Sequence, residues 1–216
     1  MPKSTFLNLR PEKRADFTDA ALFEFALNDY QNASITNMVK VLGIAKGSVY
    51  QYFENKKDLY EFLIELAAEE KLKYTKKVIK KAGDGDFIKW YRKLLHQSLL
   101  FDLENPMLGC LLINVSQERN NAEIGNLALT NKRETAAFLK KVLELHQPKS
   151  LSPSLDSSKL AFHLTQLGFG LTDAFCIEKE LDLRHFALER TAVEYDEAEV
   201  KAFVKDMVNA LKPALG

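Results

Sequence analysis

Apolar residues recur along this chain at helical rather than strand spacing. Phe17, Ala20, Ala21 and Phe25 share one face of a helix that the pattern predicts from Pro11 to Asn28. Pro11 suits a first helical position, where its missing N–H is not needed. Asp29-Tyr30-Gln31-Asn32 reads as a turn, and Ser34 as the N-cap of a short helix with Ile35, Met38, Val39 and Leu42 on one side. Gly43 fits the left-handed position that ends it. A second short helix, Lys46 to Phe53, turns Val49 and Phe53 inward, and Glu54-Asn55 breaks the chain. A long helix then runs from Lys56 to about Ala82, with Leu59, Phe62, Leu63 and Leu66 as its core stripe.

The same periodicity continues over 86–104, 107–118, 122–146, 156–179 and 196–211, with breaks expected at Pro106, Pro148 and Pro153. Residues 181–195 read either as a loop with a short helix or as an irregular arm. No strand-period segment of useful length and no internal repeat occurs, so the fold expected is all-α. The 9 Gly and 6 Pro in 216 residues favour long helices over a many-turned sandwich or barrel. With 46% hydrophobic and 28% charged residues the composition is that of a globular chain.

Charge changes little at first sight, since thirty basic residues balance thirty acidic ones. That balance excludes coating of nucleic acid through bulk charge and leaves room for a local patch. Residues 1–57 hold eight Lys and Arg against six Asp and Glu. Lys76, Lys77, Lys80 and Lys81 close the long helix, where cations complement its dipole. Asp84 and Asp86 lie in a plain turn, without the further ligands of a calcium loop. No apolar run approaches the roughly 20 residues of a membrane span. The start, Met-Pro-Lys-Ser-Thr, has no signal-peptide core, and Cys110 and Cys176 suit a reducing compartment, so a cytoplasmic location is expected.

Two short helices joined by Gly43-Ile44-Ala45 make a helix-turn-helix, in which the first helix braces and the second faces the major groove of DNA. With Val49 and Phe53 inward, Lys46, Gly47, Ser48, Tyr50, Gln51 and Tyr52 face or flank the open side. Lys46 can reach a guanine edge or a phosphate, and Gln51 can pair with adenine at two points. The hydroxyls of Ser48, Tyr50 and Tyr52 suit phosphates, and Gly47 permits close backbone approach. Lys56 opens the next helix, where charge and free N–H groups both attract phosphate. Lys3, Arg10, Lys13 and Arg14 offer either an arm along the duplex or a solvated terminus.

Asp29-Tyr30-x-x-Ala33-Ser34-Ile35, followed by Leu42-Gly43-Ile44-Ala45-Lys46-Gly47-Ser48-Val49-Tyr50-x-x-Phe53-x-x-Lys56-x-x-Leu59, resembles the amino-terminal domain of TetR-type transcriptional regulators. The likeness runs from about Phe17 to Phe62. It departs from the usual pattern at Ala45, where Ser or Thr is common, at Tyr52 in place of His, and at Asp29 in place of Gly. The resemblance implies a DNA-binding domain over 1–57 with contacts from Thr36, Lys46, Gly47, Ser48, Tyr50, Gln51, Tyr52 and Lys56. It implies a helical ligand-binding and dimerisation domain over 58–216. The function implied is a regulator, expected to be a repressor that binds a palindromic operator as a homodimer and is released by a small-molecule effector. The rival reading is a helical ligand-binding or scaffolding protein with a non-functional DNA head.

Leu160, Leu164, Leu167 and Leu171, with Phe203 and Met207 on the last helix, fit a four-helix interface between two copies; the alternative is that these stripes pack within one subunit. Phe101, Met107, Phe162, Gln166 and Phe169 are the candidate walls of a mostly apolar pocket, although each such residue taken alone is more often core than ligand wall. Gly109-Cys110-Leu111-Leu112-Ile113-Asn114 resembles a segment of family members that sense electrophiles, although apolar neighbours favour a packed thiol at Cys110. Four scattered His and two Cys show no metal-ligand spacing, no cofactor is implied, and no nucleophile–base pair or phosphate loop suggests an enzyme.

Overall fold

The computed structural model describes residues 1–150 and 156–211. Eleven helices and no strand occur among the described residues: α1 (Ser4–Leu7), α2 (Pro11–Leu27), α3 (Ile35–Leu42), α4 (Lys46–Tyr52), α5 (Lys56–Ile79), α6 (Phe87–Glu104), α7 (Pro106–Gln117), α8 (Gly125–Ser150), α9 (Ser157–Glu178), α10 (Leu183–Glu189) and α11 (Glu197–Asn209). The all-α expectation holds, with one addition: Ser4–Leu7 forms a turn of helix. Of the two readings of 181–195, the loop with a short helix is the one found, as α10. Helix α8 continues past Pro148 to Ser150, where a break was expected, and Pro153 lies outside the described residues.

The chain packs as two compact units. The first comprises Met1–Glu70, Asn105–Ala128 and Leu183–Ala192; the second comprises Lys71–Glu104, Leu129–Asp182 and the chain from Val193. Packing thus divides the chain differently from a cut at residue 57, because α7 and α10 both cover α2.

In the first unit, Phe6, Phe17, Phe25, Phe53 and Tyr60 build an aromatic core with Val39, Val49, Leu59 and Leu63. Helix α7 adds Leu111 and Val115, and its Asn114 amide donates to the carbonyls of Phe25 and Ala26 at 3.2 and 3.1 Å. Those carbonyls lie at the end of α2, where a helix has no bonds of its own to offer them. Helix α10 buries Leu183 and Ala187, and Arg190, just after it, pairs with Asp19 at 2.5 Å while stacking over Phe23.

In the second unit, α6 contributes Phe87, Tyr91, Leu95, Leu99 and Phe101, α9 contributes Leu160, Leu164, Leu171 and Phe175, and α11 contributes Val200, Phe203, Val204 and Val208. Tyr91 satisfies its hydroxyl on the Leu164 carbonyl at 2.6 Å. Buried Asp102 receives Lys71 at 2.9 and 3.0 Å and the Thr172 hydroxyl at 2.6 Å, so the charge is paired and its lone pairs are used. By length and composition alone α9 could cross a membrane, contrary to the sequence expectation; its Leu160, Leu164 and Leu171 are buried in this core.

Candidate nucleic-acid interface

The helix-turn-helix is set by local chemistry. Ser34 accepts the Asn37 N–H to start α3, and Gly43 ends it at φ +64°. Asp29 does not need glycine's freedom: its carboxylate accepts the Asn32 N–H at 2.8 Å and closes the turn itself. Ala45 leaves α4 without a side-chain N-cap. Asn55 caps α5 by accepting the Asp58 N–H at 2.9 Å, and Asp58 reaches back to the Glu54 N–H at 3.1 Å.

On α4, Val49 is 1% exposed and Phe53, just beyond it, is fully buried. Lys46, Gly47, Tyr50 and Gln51 are exposed, as is Thr36 on α3, whereas Ser48, Tyr52 and Lys56 are half-buried. A Cβ at Gly47 would meet nothing within 4 Å, so the subunit's own packing makes no demand for glycine there. On α4, Val49 thus faces inward and Lys46, Gly47, Tyr50 and Gln51 outward, as the sequence suggested, whereas Ser48 and Tyr52 lie between the two sides.

Two of the eight candidate contacts are committed within the protein. Tyr52 packs edge-on against Phe17, with ring centroids 5.4 Å apart, and tilts against Phe6. The Lys56 ammonium lies 4.7 Å from the Tyr30 ring centroid and donates to the Gln31 carbonyl at 3.4 Å. Burial holds its pKa below the ordinary lysine value against the pull of Glu123 and Asp29. Nearby, Glu118 accepts the Tyr30 N–H at 2.7 Å and the Tyr60 hydroxyl at 3.5 Å, and burial raises its pKa.

Of the basic terminal residues, Lys3 is folded back rather than extended: its ammonium lies 2.8 Å from Glu54 and 3.0 Å from the Tyr50 carbonyl. The Arg14 guanidinium donates to the Leu7 carbonyl at 3.1 Å. Arg10 and Lys13 are exposed.

The other candidate residues are distributed less simply. Met107 belongs to the first unit, and Phe101, Phe162, Gln166 and Phe169 belong to the second. Phe101 is fully buried against Tyr74, whereas Phe162 is 55% exposed, Gln166 is exposed, and Phe169 lies half-buried beneath the Lys132 ammonium. Leu160, Leu164, Leu171 and Phe203 are buried inside their own unit, and Leu167 and Met207 are half-buried. The leucine stripe thus has a partner within the subunit. A groove of about 390 Å³ in the second unit has walls that include Lys179, Glu199, Phe203, Asp206 and Met207, a set that periodicity alone did not indicate. Cys110 is buried, and burial pushes the Cys176 thiol up to about 11. Among the described residues, no three His, Cys, Asp or Glu side chains are grouped to hold a metal ion.

Residues 17–63 match the family described as bacterial regulatory proteins, tetR family. A TetR family transcriptional regulator from Chloroflexus aurantiacus J-10-FL shares 27% identity and a TM-score of 0.80, over 100% of this chain and 98% of that one. A candidate transcriptional regulator from Pseudomonas aeruginosa PAO1 shares the fold at 18% identity and TM-score 0.66, over 96% and 94% of the two chains. So does a TetR-like transcriptional regulator from Rhodococcus sp. RHA1, at 16% identity and TM-score 0.62, over 95% and 98%. No curated protein matches the chain at a significant level. The chain has the fold and the amino-terminal helix-turn-helix domain of a TetR-family transcriptional regulator.

Proposed function

We propose, from a TetR-type fold with a helix-turn-helix head, that this protein is a cytoplasmic regulator that represses transcription by binding a palindromic operator as a homodimer. Residues 1–57 read the DNA, and 58–216 carry the dimer interface and the effector site. The observation that supports this best is the division of α4 into a buried side, Val49 with Phe53 beyond it, and an open side of Lys46, Gly47, Tyr50 and Gln51. Lys46 and Gln51 supply the base and phosphate contacts, Thr36, Ser48 and Tyr50 supply hydroxyls, and Gly47 lets the backbone close on the duplex. Tyr52 and Lys56 act chiefly by holding the head together. The protein works as a binding switch, not an enzyme.

Because Leu160, Leu164 and Leu171 are used inside the subunit, we place the second copy against the other side of α9, where Gln166, Gly170 and Ile177 are exposed, and against α11. An effector acts by favouring a dimer whose recognition helices have the wrong separation for the operator. The test is selection of bound duplexes from random DNA by the purified protein. A palindromic consensus is the result expected, and enrichment of no sequence overturns the reading.

A further inference from the structure

We infer that residues 3–6 form a strap that sets the last turn of the recognition helix, making Lys3, Thr5 and Phe6 positioning residues for base reading by Gln51 and for the DNA-backbone contact of Tyr50 beside it. The inference rests on the DNA-binding reading above and adds to it a determinant of operator discrimination.

Helix α4 has seven residues, too few to be stable alone, and it has no side-chain N-cap. Its C-terminal end is where carbonyls are left without intrahelical donors. The Phe53 N–H takes the Val49 carbonyl at 2.8 Å. The next three carbonyls are then taken one by one from the amino terminus. The Lys3 ammonium donates to Tyr50 at 3.0 Å, the Thr5 hydroxyl donates to Gln51, and the Lys3 backbone N–H donates to Tyr52 at 2.8 Å. The Lys3 charge also sits at the negative end of the helix dipole.

Phe6 anchors this turn. It is 1% exposed, and the rings of Phe17, Tyr52, Phe53 and Phe62 stand 5.0 to 5.9 Å from it, centroid to centroid. Through Tyr52 and Phe53 the anchor grips the same end of α4 that the donors cap. The three gripped backbone positions carry the side chains that face or flank the open side. Productive recognition requires groups held within about 0.5 Å and 10–20°. Without the strap, three open carbonyls and a missing ring would let this turn fray toward Glu54, and Tyr50 and Gln51 would lose their fixed direction.

The test uses the full chain as wild type, Thr5→Val, Phe6→Ala and Phe6→Leu. The DNA probes are the duplex selected by the wild type and a scrambled duplex of equal length, at a temperature where each variant is folded by circular dichroism. Thr5→Val removes one donor, keeps the shape and changes no charge, so it stays informative if Phe6→Ala fails to fold. The ratio of selected to scrambled affinity should fall about three- to tenfold in Thr5→Val, with an unchanged salt slope and faster hydrogen exchange at the Phe53 N–H. Phe6→Ala should lose more, and Phe6→Leu should recover most of that loss. An unchanged ratio in Thr5→Val, or an equal loss on both duplexes, overturns the strap's role in reading. A wild type that selects no sequence overturns the DNA-binding reading itself, so the two failures are distinguishable.

Discussion

The recognition helix α4 and the long apolar helix α9 present opposite problems to a reader of sequence. On α4 only Val49 is fully buried and the rest of the helix is polar or open, so one stripe identifies both faces. On α9 apolar residues occupy both faces: Leu164 is fully buried, while Phe162 and Ile177 are 55% and 79% exposed. Such a helix fills its own core with one apolar stripe and still leaves large apolar side chains at the surface. Periodicity locates a face only where the other face is polar.

A pair of charges placed on the two faces of α9 separates its core stripe from its open surface. Leu164→Glu puts a carboxylate against the Tyr91 side of the core and removes a filled volume, so a loss of at least about 3–5 kcal/mol is expected, enough to unfold the second unit. Ile177→Glu should leave thermal unfolding of the subunit nearly unchanged and shift sedimentation toward the monomer. If Leu164→Glu stays folded and only dissociates, the leucine stripe is the interface after all.

Next in size is Asp102→Ala. It leaves Lys71 facing Thr172 and the Phe101 ring with no counter-charge, and breaking a buried pair from one side typically costs about 3–5 kcal/mol. Urea unfolding measures it. Replacing Lys71 by Met at the same time should recover part of the loss, since a paired charge and its absence are closer in energy than a lone charge.

Much of the fold was legible because several helices are bounded by local signals: Pro11, Ser34, Gly43 and Pro106 act within one turn of themselves. The features left open or missed depend on distant partners. Helix α10 shows only Leu183 and Ala187 as buried apolar positions, and what holds it is α2 and α7 together with Arg190 on Asp19. The bonds from Lys3 and Thr5 to α4 end on backbone carbonyls more than forty residues away, and any residue type could have supplied those acceptors. Lys56 looked free at a helix start, but its ammonium is turned onto Tyr30, a ring that stands in the turn before α3.

On the recognition helix the expected effects are smaller and fall on binding alone. Gln51→Ala should cost about 1–3 kcal/mol of discrimination at one base pair of the selected operator. Lys46→Ala should lower affinity and, if the ammonium meets a phosphate, reduce the salt slope by about one unit. Neither side chain is buried, so neither variant should move the melting temperature appreciably. A drop in melting temperature as large as that of Asp102→Ala would put these residues in the core and undo the contrast with α9.

The smallest expected effect distinguishes the two units by the sign of their response to acid. Glu118, in the first unit, has its pKa raised by burial against the hydrogen bond from the Tyr30 N–H. The native state therefore holds its proton to higher pH than the unfolded chain, and this carboxyl weakens folding as pH rises from about 4.5 through its raised value. His96, in the second unit, has its pKa lowered by burial and then by Lys201, against the opposing charge of Glu197. Here the unfolded chain binds the proton first, so stability is lost as pH falls below 6.5 toward the lowered value. Glu118→Gln keeps an acceptor for Tyr30 and Tyr60, and His96→Gln keeps a polar side chain of similar length. Melting curves of each variant minus the wild type, taken from pH 4.5 to 7.5, should slope in opposite directions. Difference curves of the same sign would mean that one of the two groups is solvated in the folded protein, and would remove the electrostatic half of the contrast between the units.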